Sequence, residues 1–210
     1  MKLSILIAMY NSCENVAKTL EKLYNQMQER VEVIVIDDGS TDEWGATYVE
    51  VSCIEKGFRY IREKNRGEAG ARQKGLDLAK GDYFTWIDAD DSIVPNYLEI
   101  ILREIEEYKG VDIITHRWVN QEGVLGVRHE LPMVNWNVWS NVYRREAVKG
   151  VKFDLDRIIA SDYFWLEEAV KKCKSFYNSE EITNIYNDKN PDSLTHQFER
   201  GEVKARFSEA

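Results

Sequence analysis

The run Asp88-Ala89-Asp90-Asp91 places three carboxylates within four positions, directly after an apolar stretch. Closely spaced carboxylates at a strand end can offer hard oxygen ligands to Mg²⁺ or Mn²⁺ and leave coordination positions for a diphosphate. The plainer alternative is that they cap the next helix and face water. A second acidic turn, Asp37-Asp38-Gly39-Ser40, can accept hydrogen bonds from a uracil-like imide or a ribose hydroxyl. Alternatively Gly39 supplies an unusual turn dihedral while its neighbours satisfy backbone groups. Arg72 carries a planar guanidinium whose fork suits phosphate oxygens; a surface ion pair is the competing use. His116, His129 and His196 do not cluster in sequence, so a metal role for any one has little support. Neither G-x-G-x-x-G nor G-x-x-x-x-G-K-[ST] occurs, which argues against nicotinamide cofactors and P-loop ATP hydrolysis.

Alternating strands and helices position these groups. Leu3–Met9 is a near-continuous apolar run, as expected of a parallel strand covered on both faces. Asn11 and Glu14 are placed for a reciprocal helix cap, followed by Val16, Leu20, Leu23, Tyr24 and Met27 at helical spacing. Val31–Ile36 reads as a second strand and Phe58–Arg62 as a third. Glu68–Lys80 reads as a helix stopped by Gly81, and Tyr83–Ile87 as a fourth strand. Pro95 opens a helix bearing Leu98, Ile101, Leu102 and Ile105, and Val111–Thr115 begins another strand. Further on, a helix is expected from Asp162 to Lys172, burying Trp165, Ala169 and Val170, and a strand over Ile182–Tyr186. The pattern predicts an α/β fold: a Rossmann-like, mostly parallel twisted sheet with helices on both faces. Such sheets bind ligands beyond the carboxyl ends of their strands, where both acidic turns fall.

With no flexible linker, residues 1–210 are expected to form one domain, a donor-side half over 1–110 and an acceptor-side half over 111–210. The net charge of −9 argues against a nucleic-acid binder, which would present a basic face. Cys13, Cys53 and Cys173 are an odd, sparse set, which favours a reducing compartment. KLSILIAM is too short to span a bilayer and no apolar run reaches 18 residues. A cytoplasmic location is expected, with room for peripheral membrane association.

Taken in order, SILIAMYN (4–11), VIVIDDGSTD (33–42), NRGEAGARQKGLDLAKGDY (65–83) and WIDADD (86–91) resemble the family 2 glycosyltransferases. The resemblance is strong over residues 3–110. It continues more loosely through NVWSNVYRREAV (137–148), SDYFW (161–165) and NIYNDKNPDSLT (184–195). It implies the A-type glycosyltransferase fold and inverting transfer of a sugar from a nucleotide-sugar donor to a saccharide or glycoconjugate acceptor, with Mn²⁺ or Mg²⁺ as cofactor. UDP-sugars are the modestly preferred donors, and polysaccharide or glycoconjugate synthesis is the implied setting. By the same resemblance Asp38, with Asp37 beside it, meets the nucleoside, and the backbone around Ala8 and Tyr10 walls the base. Arg72 meets the diphosphate. Asp88 and Asp90 are the outer carboxylates of the DxD signature and Asp91 extends it, with the direct metal ligand open between Asp90 and Asp91. Asp162 matches the catalytic base. The family pattern here is Glu-Asp, whereas this chain has Ser161-Asp162, which keeps the base and removes its acidic neighbour. Trp136 or Trp139 could face the acceptor, and His196 could close over the diphosphate.

Two other readings share these features. A sugar-phosphate nucleotidyltransferase would need a glycine- and base-rich loop after the first strand, and Ala8-Met9-Tyr10-Asn11-Ser12 does not supply one. A noncatalytic nucleotide-sugar-binding module would bind donor without turnover.

Overall fold

β1 (Leu3–Met9) is apolar on both faces because both faces are covered. A computed structural model describes residues 1–126, 137–157, 160–191 and 193–201. Successive strand side chains point to opposite faces, and β1 sorts accordingly: Leu3, Ile5, Ile7 and Met9 enter one core cluster, Leu6 the other. β2 (Val31–Asp37) repeats the rule, with Val31, Val33 and Val35 on the first side and Ile34 and Ile36 on the second. α1 (Cys13–Tyr24) covers the first side with Val16, Leu20 and Leu23. α2 (Glu43–Lys56) joins it through Ala46, Val49 and Cys53.

β3 (Arg59–Arg62) flanks β2, and α3 (Glu68–Leu78) lies on the second side with Ala69 and Ala71. β4 (Tyr83–Asp88) pairs with β1. There follow β5 (Ser92–Ile93), α4 (Tyr97–Glu107), β6 (Ile113–Asn120), β7 (Asn141–Arg144), α5 (Ser161–Lys172), β8 (Phe176–Tyr186) and α6 (Leu194–Glu199). The eight strands form one sheet in the order β3-β2-β1-β4-β7-β6-β8-β5. Its first four strands are parallel; β7 runs against both β4 and β6, while β8 is parallel to β6 and β5 antiparallel to β8. The chain builds outward from β1 to β2 and β3, then returns to place β4 on the other side. That makes β1 the switch point where such sheets hold ligands. Register fixes what gathers there: Ala8 lies between Ile36 and Asp88, and Met9 is opposite Asp37.

The expected mostly parallel sheet with helices on both faces is what forms. Its details differ in three places. Asn11 and Glu14 make no reciprocal cap: Asn11 sits at φ 55° and its Oδ1 accepts from Thr41 N at 2.8 Å, while Glu14 pairs with Lys18. The asparagine thus ties the end of β1 to the loop after β2, because its short amide can reach a neighbouring backbone from the left-handed region. α2 was absent from the sequence reading because its exposed face is apolar too, with Trp44, Tyr48, Val51 and Ile54 outward. Its ends did carry signals, since Asp42 accepts from Gly45 N at 3.0 Å and Gly57 closes the helix at φ 70°. The short β5 and β7 were also unread, and β8 starts six residues before the expected Ile182.

The second half of the sheet is tied to α4 by a buried polar node. Glu104 of α4 is 4% exposed and its Oε2 lies 2.7 Å from His116 Nε2 on β6. Ser179 Oγ of β8 donates to its Oε1 at 2.5 Å. Burial pushes the Glu104 carboxyl up, and the His116 and Ser179 hydrogen bonds more than offset this, leaving it below the ordinary range. Glu104→Ala would leave His116 and Ser179 without this acceptor and should destabilise the fold by about 3–5 kcal/mol. Urea unfolding checks this, and a loss under about 1 kcal/mol would show the node is dispensable.

Candidate functional site

The first wall of the site is the turn after β2. Asp37 is fully buried and saturated by protein donors: its Oδ1 accepts from Ser40 N at 2.8 Å and Ser40 Oγ at 2.6 Å. Its Oδ2 accepts from Tyr60 OH at 2.6 Å and lies 3.4 Å from Arg62 Nε. Asp37 thus turns inward and shapes the turn, while Asp38 stands beside it. Gly39 has φ +73°, and a Cβ there would come within 2.9 Å of Asn65 N, so glycine is required both by conformation and by space. Asp38 accepts from Arg66 N at 2.7 Å, which joins this turn to the approach to α3. Burial pushes the Asp38 carboxyl up, against the backbone donors of Arg66 and Gly67. Beside it, Ala8 is half-buried and Tyr10 exposed at the end of β1.

The floor is a buried cation. Arg72 is 2% exposed, on the inner face of α3. Its Nη2 donates to Asp88 Oδ1 at 2.7 Å and lies 2.9 Å from Glu68 Oε1. Its Nε and Nη1 have no protein partner. Burial opposes the charge on Arg72, but Glu68, Asp88 and Asp162 outweigh it and keep the guanidinium firmly protonated. The surface ion pair weighed for Arg72 is thus replaced by a buried one. An arginine this deep, with two donors free, can meet an anion that enters the cleft.

The acidic turn after β4 sorts its three carboxylates. Asp88 is about a quarter exposed and faces Arg72. Asp90 Oδ2 accepts from Asn190 Nδ2 at 2.7 Å. Asp91 is 4% exposed and its Oδ1 accepts from Asn187 N at 2.8 Å. Burial raises the carboxyls of Asp90 and Asp91, and repulsion from Asp88 adds to it in both. His196 Nδ1 lies 2.7 Å from Asn190 O, so the late segment reaches this turn.

α5 brings in Asp162. Its first turn follows Ala160, which takes a left-handed φ of 57°, and Ser161 Oγ donates to Glu68 Oε2 at 3.4 Å. Asp162 Oδ1 accepts from Tyr163 N at 2.9 Å. Burial raises the Asp162 carboxyl; Arg72 opposes that and Asp88 reinforces it. Both donor-side turns and the late acid therefore meet at the switch point of one sheet.

A model of glycosyl transferase family 2 matches residues 4–174. This chain belongs to that family. It is 30% identical over 158 residues to the glycosyltransferase GlyA of Streptococcus pneumoniae, covering 71% of this chain and 23% of GlyA. It is 29% identical over 195 residues to the glycosyltransferase YibD of Escherichia coli, covering 80% of this chain and 56% of YibD. The chain thus spans only part of these relatives' length. Among solved structures, TarS 1–349 of S. aureus in complex with UDP-GlcNAc superposes with a TM-score of 0.81 at 21% identity, covering 93% of this chain and 61% of TarS. The mannosyltransferase PcManGT of Pyrobaculum calidifontis, in complex with GDP-Man and Mn²⁺, gives 0.69 at 15% identity, covering 98% and 66%. These likenesses establish the A-type glycosyltransferase fold for the family 2 chain.

Two aromatic expectations fare differently. Trp139 is only 5% exposed, stacked on Tyr186 with ring centroids 5.8 Å apart and flanked by Trp118. Its ring is therefore taken up by packing, as bulky apolar rings commonly are. Trp136 and His129 lie outside the described residues. The sequence reading missed Glu68, Asn187 and Asn190. Glu68 was legible only as a helix start, though its spacing from Arg72 is that of an i,i+4 pair; the asparagines fall within the 184–195 stretch of the resemblance, which gave neither of them a role.

Burial pushes Glu68 up to about 7, opposed by Arg72 and reinforced by Asp88 and Asp162. A carboxyl whose folded pKa lies above its unfolded value stabilises the fold fully below the unfolded value, and loses that contribution as pH rises through the folded one. The melting temperature of the metal-free protein should therefore fall from about pH 5 to about pH 8. Glu68→Gln should flatten that slope, and an unchanged slope would remove Glu68 as the titrating group.

Proposed function

We propose that this chain transfers a sugar from a nucleoside-diphosphate sugar to an acceptor hydroxyl by single displacement, inverting the anomeric centre. The observation that carries the reading is the meeting of Asp38, Arg72, Asp88, Asp90 and Asp162 around one switch point. Membership of family 2 and the nucleotide-sugar complexes of TarS and PcManGT support it. UDP-sugars are the preferred donors in this reading, as in the TarS complex. In this reading Asp38 accepts from the nucleoside, with the base against the Ala8–Tyr10 backbone. The free donors of Arg72 face the diphosphate. Asp162 takes the proton from the acceptor hydroxyl as its oxygen attacks the anomeric carbon, while the nucleoside diphosphate departs from the opposite face.

A divalent cation belongs to the same reading. Among the described residues, no three His, Cys, Asp or Glu side chains are arranged to hold a metal ion. Asp88 and Asp90 nevertheless fit Mg²⁺ or Mn²⁺, which are commonly held by one or two carboxylates together with substrate phosphates and water. Burial raises the carboxyls of Asp90 and Asp91, repulsion from Asp88 adds to it, and Asp91 Oδ2 is buried without a protein partner. When bound, the cation would supply charge neutralisation for the departing diphosphate. Asp91, held by Asn187, positions the turn from behind.

In this reading the acceptor is a saccharide or glycoconjugate received by the half from residue 111 onward, and His196, whose Nδ1 lies 2.7 Å from Asn190 O, closes over the diphosphate. Three buried free cysteines support a reducing, cytoplasmic setting. Among the described residues no helix is long and apolar enough to cross a membrane.

Calorimetry with UDP should show binding that strengthens with Mn²⁺, and Asp90→Asn should reduce the Mn²⁺-dependent part by about 10- to 100-fold. Equal UDP affinity with and without Mn²⁺ would exclude the cation from the site. Asp162→Asn should keep UDP affinity while slowing transfer by about 10²- to 10⁴-fold. Release of a nucleoside diphosphate marks glycosyl transfer, whereas pyrophosphate would mark nucleotidyl transfer. Near-normal transfer by Asp162→Asn would remove the base assignment, and a product retaining the donor's anomeric configuration would contradict single displacement.

A further inference from the structure

Glu68 opens α3 in a position where acidic residues are common for a simple reason, since they favour the positive end of the helix dipole. Its side chain does something else. Neither carboxylate oxygen caps its own helix. Oε1 sits 2.9 Å from Arg72 Nη2, and Oε2 accepts from Ser161 Oγ at 3.4 Å, a residue 93 positions later. Ser161 is only 1% exposed and begins the helix that carries Asp162. The same Nη2 of Arg72 continues to Asp88 at 2.7 Å. A single carboxylate therefore links the start of α5 to the end of β4 through one guanidinium.

We propose that Glu68 is a positioning residue for the transfer step, setting at once the orientation of Arg72 and the first turn of α5 that presents Asp162. The proposal rests on the function proposed above for Arg72 and Asp162, and assigns Glu68 no contact with the donor or acceptor. The charged groups that face it are Arg72 from its own helix, Asp88 from β4 and Asp162 from α5. Arg72 has rotational freedom that burial alone does not remove. With Glu68 on one side and Asp88 on the other, Nη2 is fixed between two acceptors, which leaves Nε and Nη1 facing a defined direction. At α5, Ala160 holds a left-handed φ of 57°, a conformation that costs free energy unless the neighbouring structure determines it. The Ser161–Glu68 hydrogen bond supplies a tether immediately after that residue. Displacement of a reacting group by about 1 Å can cost about 10²-fold in rate, so a tether at this place controls chemistry without touching the substrate.

The test compares Glu68→Gln, which keeps shape and removes charge, with Glu68→Ala, and with a double variant carrying Glu68→Ala and Ser161→Glu. The last returns a carboxylate to the same gap from α5. Hydrogen exchange reads the first turn of α5 against β1 and β2, calorimetry reads UDP affinity with Mn²⁺, and UDP release from UDP-glucose and UDP-N-acetylglucosamine reads turnover. Glu68→Ala should speed exchange at residues 163–165 by about tenfold or more while β1 and β2 keep their protection. It should lower kcat by about 10²-fold and, through the loosened Arg72, weaken UDP binding by about three- to tenfold. Glu68→Gln should fall between it and the parent protein, and the double variant should recover both the exchange protection and most of kcat. Parental exchange at α5 in both single variants, or losses that the double variant does not recover, would overturn the proposal. If the parent protein binds UDP yet releases none from either sugar nucleotide, the transfer reading fails for these donors. The exchange of α5 and its recovery in the double variant then still decide the role of Glu68.

Discussion

Burying a guanidinium that cannot give up its proton is the constraint around which this site is built. Arg72 sits at 2% exposure, where an uncompensated charge would be prohibitively costly. The compensation comes from three separate parts of the chain: Glu68 on α3, Asp88 at the end of β4 and Asp162 at the start of α5. The dependence is mutual. Those carboxylates repel one another, and they share a small volume only because one cation lies among them. Each must also be delivered by its own element, so the β1–β4 register, the seating of α3 on the sheet and the seating of α5 become conditions for one electrostatic balance.

The seating of α5 is settled by aromatic packing. Trp165 meets Trp86 of β4 edge-on at 5.0 Å and stacks on Phe153 at 5.3 Å. Phe84 and Tyr143 complete the cluster from β4 and β7. Such pairs contribute about 0.5–1.5 kcal/mol each beyond the area they bury, and their preferred angles fix orientation as well as depth. The strand that ends in Asp88 and the helix whose first turn carries Asp162 are thus locked to each other through their own side chains. The aromatic residues of the later half, Trp139 included, are spent on packing, which fixes the elements that carry the charged residues.

Much of this was legible in the sequence because burial on both faces leaves a distinctive mark. The apolar runs at 3–9, 31–36 and 83–87 identify covered parallel strands, and the acidic turns follow from where those runs stop. α2 escaped because helix recognition relies on contrast between faces, and Trp44, Tyr48, Val51 and Ile54 remove that contrast. The acidic residues show a second kind of loss. Asp37 and Asp38 are adjacent and chemically identical, as are Asp90 and Asp91, yet the members of each pair meet different partners. Those partners are contributed from elsewhere: Ser40, Tyr60 and Arg62 claim both oxygens of Asp37, while the Asn187 backbone takes one oxygen of Asp91 and leaves the other without a partner. Those partners are set by tertiary arrangement, which local spacing does not encode. Asn11 belongs to the same class, since its amide serves a loop some thirty residues away.

The acidic turn after β4 joins the two halves of the sheet in a way that follows from charge. Asp90 and Asp91 are engaged by Asn190 and by the Asn187 backbone, and His196 holds Asn190 in turn. These donors are neutral. They satisfy individual oxygens but offset neither the burial of Asp90 and Asp91 nor the repulsion from Asp88 that adds to it, and both carboxyls remain raised. Amide donors to a charged group contribute about 1.5–3 kcal/mol each net of hydration but carry no net charge, so they define geometry without neutralising the turn. The protein therefore presents a preformed turn whose electrostatic deficit persists until positive charge arrives. In the proposed reading that charge enters with the diphosphate, against the free donors of Arg72. Asn187 and Asn190 stand on Asp91 and Asp90, so in that reading the late part of the chain meets the same carboxylates whose repulsion the cation relieves.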